Sequence, residues 1–134
     1  MKNAFIFFML IFSGSVFSQK ITDQTGVASF YSSKFNGLKT ANGEKYDSRK
    51  FTAAHNTLPF NTILEVTNLD NNKKTIVVVN DRGPHRKNRL IDLSFAAAKE
   101  LEIVQKGFAR VAIKVLDQMP GEGLVKADIP FITD

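Results

Sequence analysis

The chain has 134 residues, no cysteine, two histidines and a formal net charge of +5. That length allows one small domain. The missing cysteine excludes a disulfide framework, a thiolate nucleophile, a cysteine metal site and a lipid-modified N-terminal cysteine. With His55 and His85 alone, no zinc-ligand set is visible, so neither a metal nor another cofactor is expected. The mild basic excess suits a polyanionic or wall-bound partner as well as ordinary solubility. Nucleic acid is not an expected partner, given an export leader and the lack of a regular aromatic–basic pattern.

The first 18 residues read as a cleaved secretory leader. Lys2 and Asn3 give a basic start, Ala4 to Phe12 is almost wholly apolar, and Val16 and Ser18 precede a cut before Gln19. The apolar run is too short to span a membrane, which takes about 20 residues. Residues 19–25 form a polar lead-in, 26–116 the domain and 117–134 a tail. Gly26 to Tyr31 predicts the first strand. Ser32 to Lys50 reads as a long loop, and loops of that length in small domains usually carry function. Phe51 to Ala54 predicts a short strand leading to His55.

Thr62 to Asn68 and Lys73 to Asn80 predict a hairpin turning at Asp70-Asn71-Asn72. Ile76 to Val79 is a β-branched run of the kind buried on both faces. It stops at Asn80-Asp81-Arg82-Gly83-Pro84, where the chain must bend. A stiff strand thus delivers a carboxylate and a guanidinium to a strand end. Arg89 to Leu93 predicts another short strand. Ser94 caps a helix running to Leu101 or Glu102, with Phe95, Ala98 and Leu101 on its buried face. Phe108 to Leu116 alternates as a half-buried strand. Five or six strands and one helix suggest a small closed barrel, which leaves no open edge.

The ionisable groups able to do chemistry are Glu44, Asp47, His55, Asp81 and Asp92, all at turns or strand ends. Each also has a bland role: Asn42-Gly43-Glu44 as a turn, Asp47 as a turn cap, His55 as a hydrogen-bonded structural residue. Asp92 reads as a structural partner for nearby N–H groups or arginines.

Six ordered motifs run through the domain: Gly26-Val-Ala-Ser-Phe-Tyr31, Thr40-Ala-Asn-Gly-Glu-Lys-Tyr-Asp47, Thr52-Ala-Ala-His-Asn-Thr-Leu-Pro59, Val66-Thr-Asn-Leu69, Val79-Asn-Asp-Arg-Gly-Pro84 and Arg89-Leu-Ile-Asp-Leu-Ser94. Together they resemble the rare lipoprotein A family of septal-ring lytic transglycosylases. The resemblance implies an all-β fold, a six-stranded double-psi β-barrel with one short helix. It implies cleavage of peptidoglycan between N-acetylmuramic acid and N-acetylglucosamine in stem-peptide-poor strands, leaving 1,6-anhydro ends without a metal. By motif, Glu44, Asp47, His55 and Asp81 match the family's active site. Tyr31, Asn42, Arg82, Arg89 and His85 are the expected substrate-binding positions. Family members often carry a lipid-anchoring cysteine and a C-terminal glycan-binding repeat. Neither is seen here, so an exported, unanchored protein of the periplasm or exterior is expected. Its partners would be glycan strands and cell-division or wall-remodelling proteins. His85 stands where the family often has Phe.

A lytic transglycosylase uses the sugar's own C6 hydroxyl, so one carboxyl can serve as acid and then base, provided its surroundings raise its pKa. Asp81 is the expected acid/base and Glu44 its rival. Asp47 and His55 would orient the pair, and Arg82 or Arg89 would hold the lactyl carboxylate. Tyr31 and Phe35 would stack on sugars. The alternative is a non-catalytic, expansin-like polysaccharide-binding module.

Overall fold

The computed structural model describes residues 23–118. The expected leader, and the parts of the lead-in and tail before 23 and after 118, lie outside the described residues. Six strands form the fold: β1 (Gln24–Phe30), β2 (Thr52–His55), β3 (Thr62–Asn68), β4 (Lys74–Asp81), β5 (Ile91–Leu93) and β6 (Ala109–Gln118). They close in the order β1-β5-β2-β4-β3-β6. β1 runs parallel to β5 and β2 parallel to β4, while the other four seams are antiparallel. This is the expected six-stranded double-psi barrel. Several strand ends differ from the sequence reading by one or two residues; β5 begins at Ile91, with Leu90 N bonded to Val27 O just outside it.

Alternation explains the interior. Ala28, Ala53, Val77, Val79, Leu64, Val66, Ile91, Leu93, Val111 and Ile113 turn inward and are fully buried or nearly so. Each large one contributes roughly 1.5–3 kcal/mol by leaving water, and this replaces the missing disulfides. The run Ile76 to Val79 is not buried on both faces as expected. Val77 and Val79 are buried, but Ile76 and Val78 on the barrel's outer side are only partly covered.

The helix α1 spans Phe95–Glu100, with Leu101 as its C-cap, so it stops short of Glu102. Glu102 has φ +58, which a continuing helix does not allow. Its buried side is Ala97, Ala98 and Leu101; Phe95, expected there, is 41% exposed and meets Phe30 edge-on at 6.4 Å. The free N–H groups of the first turn are all matched. Ser94 Oγ accepts from Ala97 N, Tyr46 Oη from Phe95 N and Ser48 O from Ala96 N. The helix start therefore ties the 32–50 loop to the barrel. At the other end, Asn68 and Asn71 both donate to Leu101 O, joining the β3–β4 hairpin to the helix.

The β1·β5 seam leaves no room at Gly26, where an added Cβ would lie 2.7 Å from Leu90 Cβ. Gly26→Ala is expected to lower stability by about 1–3 kcal/mol through overpacking, read as a shift in the urea midpoint at unchanged slope.

Candidate active site

The site begins with a register shift. Ala53 pairs with Val79, but Ala54 pairs with Asp81, so Asn80 is bulged out of the β2·β4 ladder. Strict alternation would send Asp81 inward with Val77 and Val79; one extra residue moves it to the other face. Ala54 also pairs with Asp92 on its other side, and Asp92 pairs with Ser29. Ser29, Asp92, Ala54 and Asp81 thus form a row across four strands on the barrel's outer face. With the methyl of Ala54 between them, two carboxylates flank a gap with backbones about 10 Å apart, two strand spacings. Gly83 passes over that gap. Its φ is +137, and a Cβ there would lie 3.8 Å from both Ala54 Cβ and Asp92 Oδ2.

The two carboxylates are held differently. Asp81 Oδ1 accepts from Ala41 N at 2.8 Å and Arg82 N at 2.9 Å, and its Oδ2 accepts from Tyr31 Oη. Asp92 Oδ1 accepts from Ser29 Oγ, and Oδ2 has no hydrogen-bond partner among the described residues. Burial pushes the Tyr31 hydroxyl well above its ordinary range, and the bond to Asp81 and the charges of Asp81 and Asp92 push it further. Tyr31 therefore stays protonated as a fixed donor. Its ring stacks on Tyr46 at 4.5 Å and meets Phe35 edge-on at 5.8 Å, leaving Phe35 as the exposed aromatic.

The Thr40–Glu44 turn docks on this strand end through Asn42 N to Asn80 O and Ala41 N to Asp81. Asn42 works within the turn: Oδ1 accepts from Thr40 Oγ1 and Glu44 N, and Nδ2 donates to Glu44 Oε1. Glu44 is exposed. It lines a groove of about 640 Å³ with Asp47, Arg49 and Lys50. Asp47 is clasped by Arg49 through both carboxylate oxygens at 2.9 and 3.0 Å, which holds its carboxyl down at about 2.

His55 points the other way. It pairs with Ile91, whose side chain is inside the barrel, and is itself 3% exposed. Nδ1 accepts from Thr57 N and Leu58 N, both at 3.1 Å, so the ring proton sits on Nε2 and is donated to Gln24 Oε1 at 3.0 Å. Burial, and secondarily the Arg82 charge, lower the imidazole pKa. Arg82 Nη1 donates to His55 O at 3.1 Å and Leu58 O at 2.8 Å, and its guanidinium lies 4.0 Å from the Phe60 ring. His55 and Arg82 thus brace the 55–58 loop beneath Asp81. His85 is exposed beyond Gly83-Pro84, and Arg89 lies over Phe108.

The structure therefore gathers Tyr31, Asp81 and Asp92, sets Glu44 and Asn42 on the adjoining turn, and places His55 behind the sheet. In the sequence Asp92 is one of the ionisable candidates and reads as a structural partner; that it stands two strands from Asp81, with Ala54 between them, is legible only from the β2·β4 and β2·β5 registers.

The neutral His55 makes stability depend on pH. Its folded-state pKa is lowered, so the unfolded chain takes up the proton first. The stabilisation is complete above about pH 6.5 and is lost as pH falls through the lower folded value. Denaturant midpoints should decline over that range, and His55→Asn should flatten this limb. An unchanged slope in the variant would assign it elsewhere.

The family model DPBB_1, described as lytic transglycolase, matches residues 23–113. The endolytic peptidoglycan transglycosylase RlpA of Haemophilus influenzae is 56% identical over 91 residues, covering 68% of this chain and 32% of that protein. RlpA of Campylobacter jejuni is 53% identical over 109 residues, covering 79% and 40%. The chain thus spans about a third of the length of the curated relatives it matches. Among solved structures, the Streptomyces papain inhibitor has TM-score 0.59 at 24% identity, covering 72% of this chain and 96% of its own. Apo-expansin of Clavibacter michiganensis has TM-score 0.58 at 19% identity, covering 75% and 53%; both likenesses concern the fold. The matched span takes in β1 to β5, the first half of β6 and all of the outer-face row, and the chain belongs to the DPBB_1, or lytic transglycolase, family, as its rare lipoprotein A motifs imply.

Proposed function

We propose that this protein is an endolytic peptidoglycan transglycosylase acting at the cell wall, cutting between N-acetylmuramic acid and N-acetylglucosamine. The observation that carries this reading is the pair of outward carboxylates, Asp81 and Asp92, set in register on either side of Ala54. The relatives' names supply the substrate class. A leader over residues 1–18 would deliver the domain to that compartment.

The carboxylates divide the work. A glycosidic bond needs a proton on the leaving oxygen and negative charge near the developing cation. Asp81 has both oxygens occupied as acceptors, by two backbone N–H groups and Tyr31. That arrangement fits a fixed anion which stabilises the oxocarbenium-like carbon. Asp92 keeps Oδ2 for the substrate and acts as the acid/base. It protonates the leaving oxygen as the C1–O bond breaks. The muramyl C6 hydroxyl then attacks C1, and its proton returns to Asp92. The product is a 1,6-anhydro end and the carboxyl is regenerated. These roles move the acid from Asp81, where the sequence alone put it, to Asp92. Glu44, exposed on its turn, and Phe35 contact the sugar chain outside the reacting bond. His55, Arg82 and Asp47 act as positioning residues.

Mass spectrometry of stem-peptide-free glycan strands after digestion tests the reading. Wild type should release anhydro-ended fragments. Asp92→Asn should slow release ~10²–10⁴-fold, the usual worth of an acid/base. Asp81→Asn should cost roughly 10²–10³-fold, as for an electrostatic stabiliser. Reducing ends would make the protein a hydrolase. Intact strands retained by the protein would make it a binding module.

Tyr31→Phe separates positioning from catalysis. It removes one donor to Asp81 but keeps the stack on Tyr46. Turnover should fall about tenfold, one hydrogen bond to a charged group, with melting temperature little changed.

A further inference from the structure

Asp92 has one oxygen bound and one left open, and the group that binds it is Ser29. This serine is outside the site residues that the motifs imply. The two residues are partners in the parallel β1·β5 ladder, and Ser29 Oγ donates to Asp92 Oδ1. The ladder is closed on both sides of them: Leu90 N donates to Val27 O at 2.8 Å and Tyr31 N to Leu93 O at 3.0 Å. Along its other edge β1 pairs with β6, where Ala28 meets Ala109. Ser29 is therefore fixed in backbone and partly covered, and only its side-chain torsion is left to turn.

A serine hydroxyl has one proton to give. Given to Oδ1, it holds the Asp92 carboxyl group against rotation. Oδ2 is then the open oxygen, on the side of Gly83, where an added Cβ would lie 3.8 Å from it. Asp81 is held by three donors: Ala41 N, Arg82 N and Tyr31 Oη. For Asp92 the described residues supply Ser29.

We propose that Ser29 is a positioning residue of the cleavage reaction, fixing Asp92 so that Oδ2 delivers the proton to the leaving oxygen and takes one back from the C6 hydroxyl. The proposal rests on the cleavage reading above. When Oδ2 gives up its proton, the C1–O bond breaks with its electron pair on the leaving oxygen, and Asp92 becomes an anion. The Ser29 hydroxyl stays on Oδ1 and stabilises that anion, because a hydrogen bond to a charged acceptor is stronger than one to a neutral acceptor. The C6 oxygen then bonds to C1, its proton passes to Oδ2, and the carboxyl is as it began. Ser29 loses no proton in the cycle.

Steady-state cleavage of stem-peptide-free glycan strands tests the role, with anhydro ends counted by mass spectrometry. Ser29→Ala should lower kcat about tenfold, the worth of one hydrogen bond to a charged group, with KM and melting temperature little changed. Ser29→Thr keeps a hydroxyl at a strand position that suits a β-branched residue, and it should retain most of the rate. The Asp92→Asn protein has no acid to orient, so adding Ser29→Ala there should cost less than about twofold. An unchanged kcat in Ser29→Ala, beside a wild type that cuts and an Asp92→Asn protein that is slow, would overturn the role alone. So would an equal loss with and without Asp92→Asn, or a Ser29→Thr protein as slow as Ser29→Ala. A wild type that leaves the strands intact, or an Asp92→Asn protein as fast as wild type, would remove the cleavage reading and the role with it.

Discussion

One misplaced residue in a ladder decides what this barrel offers to solvent. The β2·β4 seam loses register at Asn80, and Asp81 moves from the interior parity of Val77 and Val79 to the outer parity of Ala54. A buried carboxylate among Val79, Leu93 and Ile91 would carry a large desolvation cost. The same carboxylate on the outer face meets Asp92, Tyr31 and the 40–44 turn. The bulge thus turns a core strand into the support of a polar site, without loosening the strand itself.

The neighbouring segments are held by backbone groups that needed partners in any case. The start of α1 presents free N–H groups, and Tyr46 Oη and Ser48 O accept from two of them. That docking fixes Tyr46, which stacks beneath Tyr31, whose hydroxyl bonds Asp81. On the other side, His55 fastens the 55–58 loop through Nδ1, and Arg82 fastens the same loop through its carbonyls. The carboxylates are therefore positioned by packing and hydrogen bonds reaching into the barrel and the helix. Holding a site this way costs little further conformational entropy when substrate arrives.

Charge is distributed to match. The acidic pair occupies one end of the outer row, Asp92 and Asp81 on either side of Ala54, and cations lie toward the Ser29 end at Arg89 and Lys106 over Phe108. Arg49 is matched by Asp47, and Arg82 by carbonyl oxygens. The mild positive charge of the whole chain therefore matters less than where an unmatched guanidinium stands.

The sequence by itself determined the local chemistry. Alternation in Ala109 to Val115, the Ser94 cap and the turn at Asp70 to Asn72 each rest on neighbours a few residues apart, so the barrel strands, the helix and the hairpin were legible. The motifs carried the family. The tertiary structure alone decided which faces those residues share. Asp81's side depends on a bulge, and the pairing of Asp92 with Ser29 and Ala54 depends on parallel and antiparallel seams between distant segments. The family motifs group His55 with Asp81. His55 faces inward because it shares the parity of Ala53, on the opposite side of β2 from Ala54. Face and register are set by long-range pairing, and a one-residue step in either reverses them.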